Sequence, residues 1–154
     1  MKTITLAIAL LISTSAIAQP YIGLSVHNSG VGAQLGILAE SIDVALAIKA
    51  PLTKVDVPTI VSLTVGKQFL LTQREEDNYS FTISAGAAFT SVKDFTAYNA
   101  DPTGQTGIAT VTSTSIIYGL QVGKDAYLGR VFISANYCKG MYYGLGMRIF
   151  FNRN

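Results

Sequence analysis

A serine and a histidine two residues apart could form a nucleophile and its general base. Ser25 and His27 would share one face of an extended strand, because alternate side chains point to the same side. A serine hydrolase also needs an acid that orients the histidine. The next acid in sequence, Glu40, is expected at the opposite end of the predicted strands from Ser25 and His27. We therefore predict no catalytic residues and a protein that is not an enzyme, with this pair kept as the basis of an alternative.

The single cysteine and the glycines do not indicate a metal or a cofactor. Cys138 is alone, so the chain has neither an internal disulfide framework nor a cysteine-rich zinc site. No glycine-rich segment is followed by the lysine and serine of a phosphate-binding loop. We predict no metal and no cofactor, and we interpret Cys138 as a small filler residue.

The composition is that of one domain whose surface largely faces something other than water. Of the 154 residues, 49 % are hydrophobic and only 13 % are charged, which is unusual for a soluble domain. No two basic residues are adjacent. Nucleic acid is therefore not a predicted partner.

The first residues have the three parts of a secretory signal peptide. Lys2 supplies a positive charge, residues 6–12 form an apolar run, and Ala16-Ile17-Ala18 is a small-x-small cleavage site. The apolar run is shorter than the roughly 20 residues that a helical membrane anchor needs. We predict a cleaved signal peptide at 1–18 and one domain at 19–154.

After Pro20 the hydrophobic residues recur with the period of two that is typical of β-strands. Gly, Asn, Asp, Pro and charged residues divide this pattern into segments that we predict to be strands. The predicted strands are roughly 21–28, 31–39, 42–50, 57–70, 79–92, 114–124, 130–138 and 141–151.

The two faces of these strands differ in size and polarity. One face carries large apolar residues such as Leu24, Leu46 and Leu63, whereas the other carries small or polar ones such as Gly23 and Ser62. In a soluble barrel the large apolar face must turn inward, because its burial at about 25 cal/mol per Å² drives folding. The small polar face cannot fill a core alone. We therefore predict that it lines the interior and that the apolar face meets lipid.

The predicted fold is all-β: a closed antiparallel up-and-down transmembrane β-barrel of about eight strands. Segments of roughly 9–11 residues can cross the hydrocarbon when they are tilted, and an even strand number returns both termini to one side. Closure leaves no unpaired backbone group in the lipid.

The last strand resembles the assembly signal of outer-membrane β-barrels. In the segment 146–151, Gly146 is followed by apolar residues at the third and fifth positions after it, Ile149 and Phe151. Together with the pattern of the whole chain, this is similar to the superfamily of small eight-stranded outer-membrane proteins. The resemblance implies the cell outer membrane of a Gram-negative bacterium, with the termini in the periplasm. It also implies outer-membrane lipid and the barrel-assembly machinery as partners.

Charged and amide side chains on the inward face predict a polar network. Asp43 and Arg148 lie near the same end of the barrel, and charges buried in so narrow a space must be paired or hydrogen-bonded. We predict a structural ion pair between them. At eight strands the lumen has room for side chains and little else, so a permanent channel is not expected. The predicted lumen network is Asp43, Lys49, Gln34, Gln68, Gln121 and Arg148.

Aromatic residues cluster near the strand ends, as they do in the girdles of outer-membrane barrels. We predict that this girdle faces lipid at both membrane interfaces. Its predicted members are Tyr21, Phe69, Tyr79, Phe81, Phe89, Tyr137, Tyr143 and Phe151.

The longest predicted connection, 93–113, is the segment that is most free to carry recognition. Its candidate residues are Phe95, Tyr98 and Asp101. We predict a non-enzymatic outer-membrane protein with a structural or surface-interaction role through this outer loop, where an extracellular ligand could bind. The alternatives are an outer-membrane lipid-modifying enzyme, which would use Ser25 and His27, and a soluble lipocalin-like ligand-binding barrel with its apolar face inward.

Overall fold

A computed structural model describes residues 18–52, 58–72, 78–94, 109–127 and 129–151. These residues form β-strands joined by turns. No helix within these ranges is long and apolar enough to cross a membrane. The eight strands are β1 (Ala18–His27), β2 (Gly30–Ala39), β3 (Ile42–Pro51), β4 (Thr59–Leu70), β5 (Tyr79–Asp94), β6 (Ala109–Ala126), β7 (Gly129–Tyr137) and β8 (Met141–Phe150).

The strands close into one antiparallel up-and-down barrel. Each strand pairs with its neighbours in the chain, and β1 closes the barrel by pairing with β8 from Tyr21↔Phe150 to His27↔Gly144. This confirms the predicted all-β, closed, eight-stranded antiparallel barrel. The predicted signal peptide lies at 1–18, of which residues 1–17 are outside the described ranges.

The alternation of strand direction gives the barrel two distinct ends. The terminus end contains the start of β1, the end of β8, the turn Glu40-Ser41 and the connections 71–78 and 127–128. The loop end contains the turn Asn28-Ser29 and the connections 52–58, 95–108 and 138–140. At the terminus end, Glu40 has a φ of 52°, the left-handed conformation that tight hairpin turns require.

The largest departure from the predicted strands is in β5 and β6. Strand β5 continues to Asp94 and β6 starts at Ala109 instead of 114, so the predicted loop 93–113 shortens to 95–108. Pairing of β6 with β7 begins only at Tyr118. The part of β6 before it pairs with β5 alone, and β5 pairs with β4 only as far as Ser91. Residues 92–94 and 109–111 therefore form a two-stranded arm at the loop end. Phe95, Tyr98 and Asp101 lie outside the described residues.

The composition of residues 109–113 explains why the sequence pattern did not predict this arm. Residues 109–113 are Ala, Thr, Val, Thr and Ser, and they form no large apolar face. The three β-branched residues among them, 110–112, nevertheless favour extended backbone. Val111 and Thr112 are both exposed, so a segment beyond the barrel wall has no buried face to impose a period of two. Strand β4 also differs from its prediction, because it starts at Thr59 and not at residue 57.

Large apolar side chains cover the outside of the barrel. Among the described residues, 33 large hydrophobic residues are exposed whereas nine hydrophobic residues are buried, the reverse of a water-soluble core. Leu24 is 65 % exposed and Ile133 is 66 % exposed, although both belong to paired strands. The outward positions follow the predicted apolar face of the strands.

Two apolar clusters occupy the lumen, one near each end. The loop-end cluster is Ile60, Ala88, Ile117, Cys138 and Tyr142. The terminus-end cluster is Tyr21, Leu38 and Ala45, with Phe150 packed against it. Polar side chains line the space between the two clusters.

Glycines make room for the large side chains of this narrow lumen. Tyr21 is paired in register with Gly36, and a Cβ on Gly36 would collide with the phenol ring. His27 lies over its register partner Gly144 in the same way. A large side chain opposite a glycine therefore fills the lumen without spreading the strands.

Candidate functional site

The predicted ion pair is the centre of a buried network near the terminus end. Nη1 of Arg148 donates to Oδ2 of Asp43 at 2.8 Å, and both side chains are at most 5 % exposed. Nη2 of Arg148 donates to the side-chain oxygen of Gln121 at 2.9 Å. The Tyr21 hydroxyl donates to the other Asp43 oxygen at 2.6 Å. The Arg148 guanidinium also lies 4.5 Å from the centroid of the Tyr21 ring.

A second ion pair, which the sequence analysis missed, lies beside the first. Nε of Arg130 donates to Oδ1 of Asp125 at 2.7 Å, and Nη1 of Arg130 donates to the side-chain oxygen of Gln68. Gln68 therefore belongs to the lumen but contacts Arg130 instead of Arg148. Asp125 lies beyond the predicted end of its strand at residue 124. A longer β6 would have placed it opposite Arg130, its observed register partner.

The remaining members of the predicted network, Lys49 and Gln34, are buried or half-buried but are not joined to these pairs. The Lys49 ammonium makes no hydrogen bond and lies 5.7 Å from the centroid of the Tyr142 ring. The Gln34 amide nitrogen also has no hydrogen-bond partner. Six predicted residues thus occupy the lumen, but they divide between the two ion-pair networks and an unpaired group nearer the loop end.

A cavity of about 60 Å³ lies in the middle of the lumen. It is lined by polar side chains from most strands, including His27, Lys49, Gln121 and Arg148. A water needs about 10–15 Å³ of such space, so the cavity can hold a small ion or a few waters. A lipocalin-like barrel requires a large apolar interior, and this lumen does not provide one.

Ser25 and His27 are in contact inside the barrel. The Ser25 hydroxyl lies 2.8 Å from Nε2 of His27, so they have the spacing of a nucleophile and its base. Nδ1 of His27 is buried without a hydrogen-bond partner, so no carboxylate orients the ring. Both side chains line the central cavity and not the outer wall. The acid at the membrane-facing rim that the lipid-modifying alternative requires is not found among the described residues.

Most of the predicted aromatic girdle points outward, but one member does not. Tyr21 is 1 % exposed and lies in the terminus-end cluster, so its assignment to the girdle is wrong. Its neighbour Ile22 points outward instead. The Tyr21 ring fills the space that a side chain at Gly36 would occupy. The predicted aromatic residues on the outward face are Phe69, Tyr79 and Phe81 and, beyond the last strand, Phe151 at the terminus end, with Phe89, Tyr137 and Tyr143 towards the loop end.

The described charged side chains on the outward face of the strands lie at the terminus end. Among strand residues whose side chains are described, only Lys67 and Lys124 are both charged and directed outward. The Lys67 ammonium lies 5.5 Å from the Phe69 ring centroid and that of Lys124 lies 5.3 Å from the Tyr79 ring centroid. Lysines paired with aromatic rings at strand ends are typical of a polar–apolar boundary.

Neither a metal site nor a relative identifies the chain. Within the described ranges, no group of three or more His, Cys, Asp or Glu side chains could hold a metal ion. Comparison of the sequence with protein-family models and with curated proteins gives no significant match.

Proposed function

We propose that this chain is a non-enzymatic β-barrel protein of a bacterial outer membrane, which displays its loop end to the exterior. The observation that carries the proposal is the apolar outer wall. Large apolar side chains point outward on the strands around the closed barrel, and the outward charges of those strand residues whose side chains are described lie at the terminus end. Lipid is a suitable surrounding for such a wall, because acyl chains contact apolar side chains favourably and a closed barrel leaves no backbone group unpaired in the bilayer.

Water is a poor solvent for this surface. The largest apolar patch of a typical soluble monomer covers about 300–600 Å². Here the exposed residues Leu35, Leu46 and Leu63 are direct register neighbours on three adjacent strands, and the same pattern continues on the other strands. A monomer in water would leave this wall uncovered, whereas acyl chains would cover it.

The arm of β5 and β6 is the part of the described chain best suited to interaction. It extends beyond the pairing of its neighbours and leads into the connection 95–108, which contains Phe95, Tyr98 and Asp101. The Lys139 ammonium donates to Ser113 at 2.6 Å, and Thr90 lies 2.6 Å from the same hydroxyl. These contacts hold the base of the arm at the barrel rim. We assign recognition of an extracellular ligand to the arm and its connection.

The proposal assigns no catalytic role to Ser25 and His27. Their contact is the one feature that favours the lipid-modifying alternative. However, an acyl chain in the bilayer would meet the outer wall, whereas both side chains face the central cavity between the two apolar clusters. The imidazole also lacks an orienting acid.

Heat-modifiability tests the membrane proposal directly. The full chain, expressed in a Gram-negative host, is expected in the outer-membrane fraction and to require detergent for extraction. On a denaturing gel, the unboiled sample should migrate differently from the boiled one, because a closed barrel stays compact in detergent until it is heated. Recovery in the soluble fraction without detergent, with the same mobility before and after boiling, would contradict the proposal.

Antibody labelling of intact cells tests which end is displayed. A short epitope inserted after Asp101 should be labelled on intact cells, because the connection 95–108 belongs to the loop end. The matched insertion after Glu75, in the connection 71–78 of the terminus end, should be labelled only after the outer membrane is permeabilised. The opposite pattern would reverse the proposed orientation.

A further inference from the structure

Five buried polar atoms around the central cavity have no hydrogen-bond partner in the protein. Such atoms are uncommon, because burial of an unpaired polar group is costly. His27 and Lys49 are 8 % and 9 % exposed, so each is more than nine-tenths buried. All five side chains line the cavity. The atoms are His27 Nδ1, Gln34 Nε2, Lys49 Nζ, Ser134 Oγ and Arg148 Nε.

Strand register makes these side chains neighbours. Lys49 is paired with Gly32, and a Cβ on Gly32 would lie 3.0 Å from Nε2 of His27. On the other side of the ring, Gly144 lies beneath Nδ1 of His27 and is paired with Ser134. Gln34 and Arg148 are the two register partners of Gly23. Glycines therefore surround the cavity and leave its centre open to the polar atoms.

The site is rich in hydrogen-bond donors and positive charge. Lys49 Nζ, Gln34 Nε2 and Arg148 Nε can only donate. Asp43 and Asp125, the carboxylates with described lumen contacts, each already pair with an arginine. The positive charge of Lys49 thus has no free carboxylate as a partner among the described lumen residues. The Tyr142 ring near its ammonium offers no full charge and no conventional acceptor.

We propose that the lumen binds one small monovalent inorganic anion, of the size of chloride, at Lys49. The anion accepts hydrogen bonds from the Lys49 ammonium and the Gln34 amide and neutralises the unpaired charge. The cavity of about 60 Å³ accommodates such an ion with a few waters and excludes larger organic anions. The two apolar clusters lie on either side of this polar space within the lumen.

Bromide provides a probe that can be located directly. The protein is folded in detergent with sodium bromide and crystallised, and the anomalous signal of bromide is mapped. We expect a peak inside the lumen in contact with the Lys49 ammonium. Lys67→Met, which removes an outward lysine, should keep the peak, whereas Lys49→Met should lose it. A lumen that holds only water beside Lys49 in the wild-type protein would overturn the proposal.

Thermal unfolding gives an independent test that does not depend on a folded Lys49 variant. In bromide the wild-type barrel should unfold at a higher temperature than in sodium gluconate of equal ionic strength, because gluconate is too large for the cavity and binding to the folded state alone stabilises it. The difference should persist in Lys67→Met and disappear in Lys49→Met if that variant folds. Equal wild-type unfolding temperatures in the two salts would overturn the proposal.

Discussion

Replacement of Asp43 by alanine is expected to destabilise the barrel by about 3–5 kcal/mol, the usual cost of a broken buried ion pair. The substitution leaves the Arg148 guanidinium buried without its carboxylate and removes the acceptor of the Tyr21 hydroxyl. Gln121 remains as a neutral partner of Arg148 and cannot balance its charge. Urea unfolding of the barrel in lipid vesicles measures the loss.

Two further variants test whether the destabilisation by Asp43→Ala comes from the broken ion pair. Asp43→Leu combined with Arg148→Met removes both charges, so it should be much less destabilising than Asp43→Ala. Asp125→Ala should cost less than Asp43→Ala, because the Asp125 side chain is more exposed, at 16 %, and Arg130 keeps Gln68. A loss below about 1 kcal/mol in Asp43→Ala, within the range of ordinary substitutions, would contradict a structural role for the pair.

The alternation of side chains was sufficient to predict the barrel and the placement of Asp43 and Arg148. Both residues lie at inward positions near the terminus end, and a lumen of eight strands is too narrow to keep such charges apart. The same alternation predicted that Leu24, Leu46 and Leu63 face outward. A period of two depends only on local backbone geometry, and it can therefore be derived from one sequence.

The register between neighbouring strands could not be predicted from this alternation. The error at Tyr21 has a different cause. Tyr21 was placed by residue type, as an aromatic side chain at a strand end, although the outward position of Ile22 already required it to point inward. The space that accepts it belongs to Gly36 on the next strand. Which residues lie opposite each other depends on the shear of the closed barrel, and no local pattern reports that shear.

The apolar lumen clusters show a related limit. Ile60 and Ile117 occupy inward positions, where they are 0 % and 1 % exposed, within a face that is otherwise small or polar. Each looks like a single exception in its own strand. Closure brings them together with Cys138 into one cluster, because the contacts join residues far apart in sequence. The filler interpretation of Cys138 agrees with its place there, fully buried.

The lumen architecture bears on where the proposed function lies. Apolar clusters lie on both sides of a small polar cavity, and two ion pairs link strands near the terminus end. A lumen filled in this way makes the barrel a rigid support for the loop end. The arm of β5 and β6 is anchored to this support through Ser113. This arrangement supports the proposal that the chain displays its loop end.

Replacement of Leu46 by arginine is expected to destabilise the barrel in lipid vesicles by about 2–4 kcal/mol, the cost of an arginine at the bilayer midplane. Leu46 lies in the middle of β3, points outward and is 51 % exposed. Its register partners on both sides, Leu35 and Leu63, are also exposed leucines, so the new guanidinium would have no polar neighbour on the wall. Urea unfolding of the inserted protein measures the change.

A matched control is Leu52→Arg, since Leu52 is a 64 % exposed leucine just beyond the loop end of the same strand. Near the membrane interface an arginine costs about 0–1 kcal/mol because its side chain reaches water. A large loss at position 46 with little loss at 52 therefore indicates an apolar solvent that is limited to the middle of the wall. If the barrel faced water, both leucines would already be hydrated, and both substitutions would stay within about 0.5 kcal/mol of the wild type. Equal, small effects would therefore contradict the membrane proposal even if the barrel itself were intact.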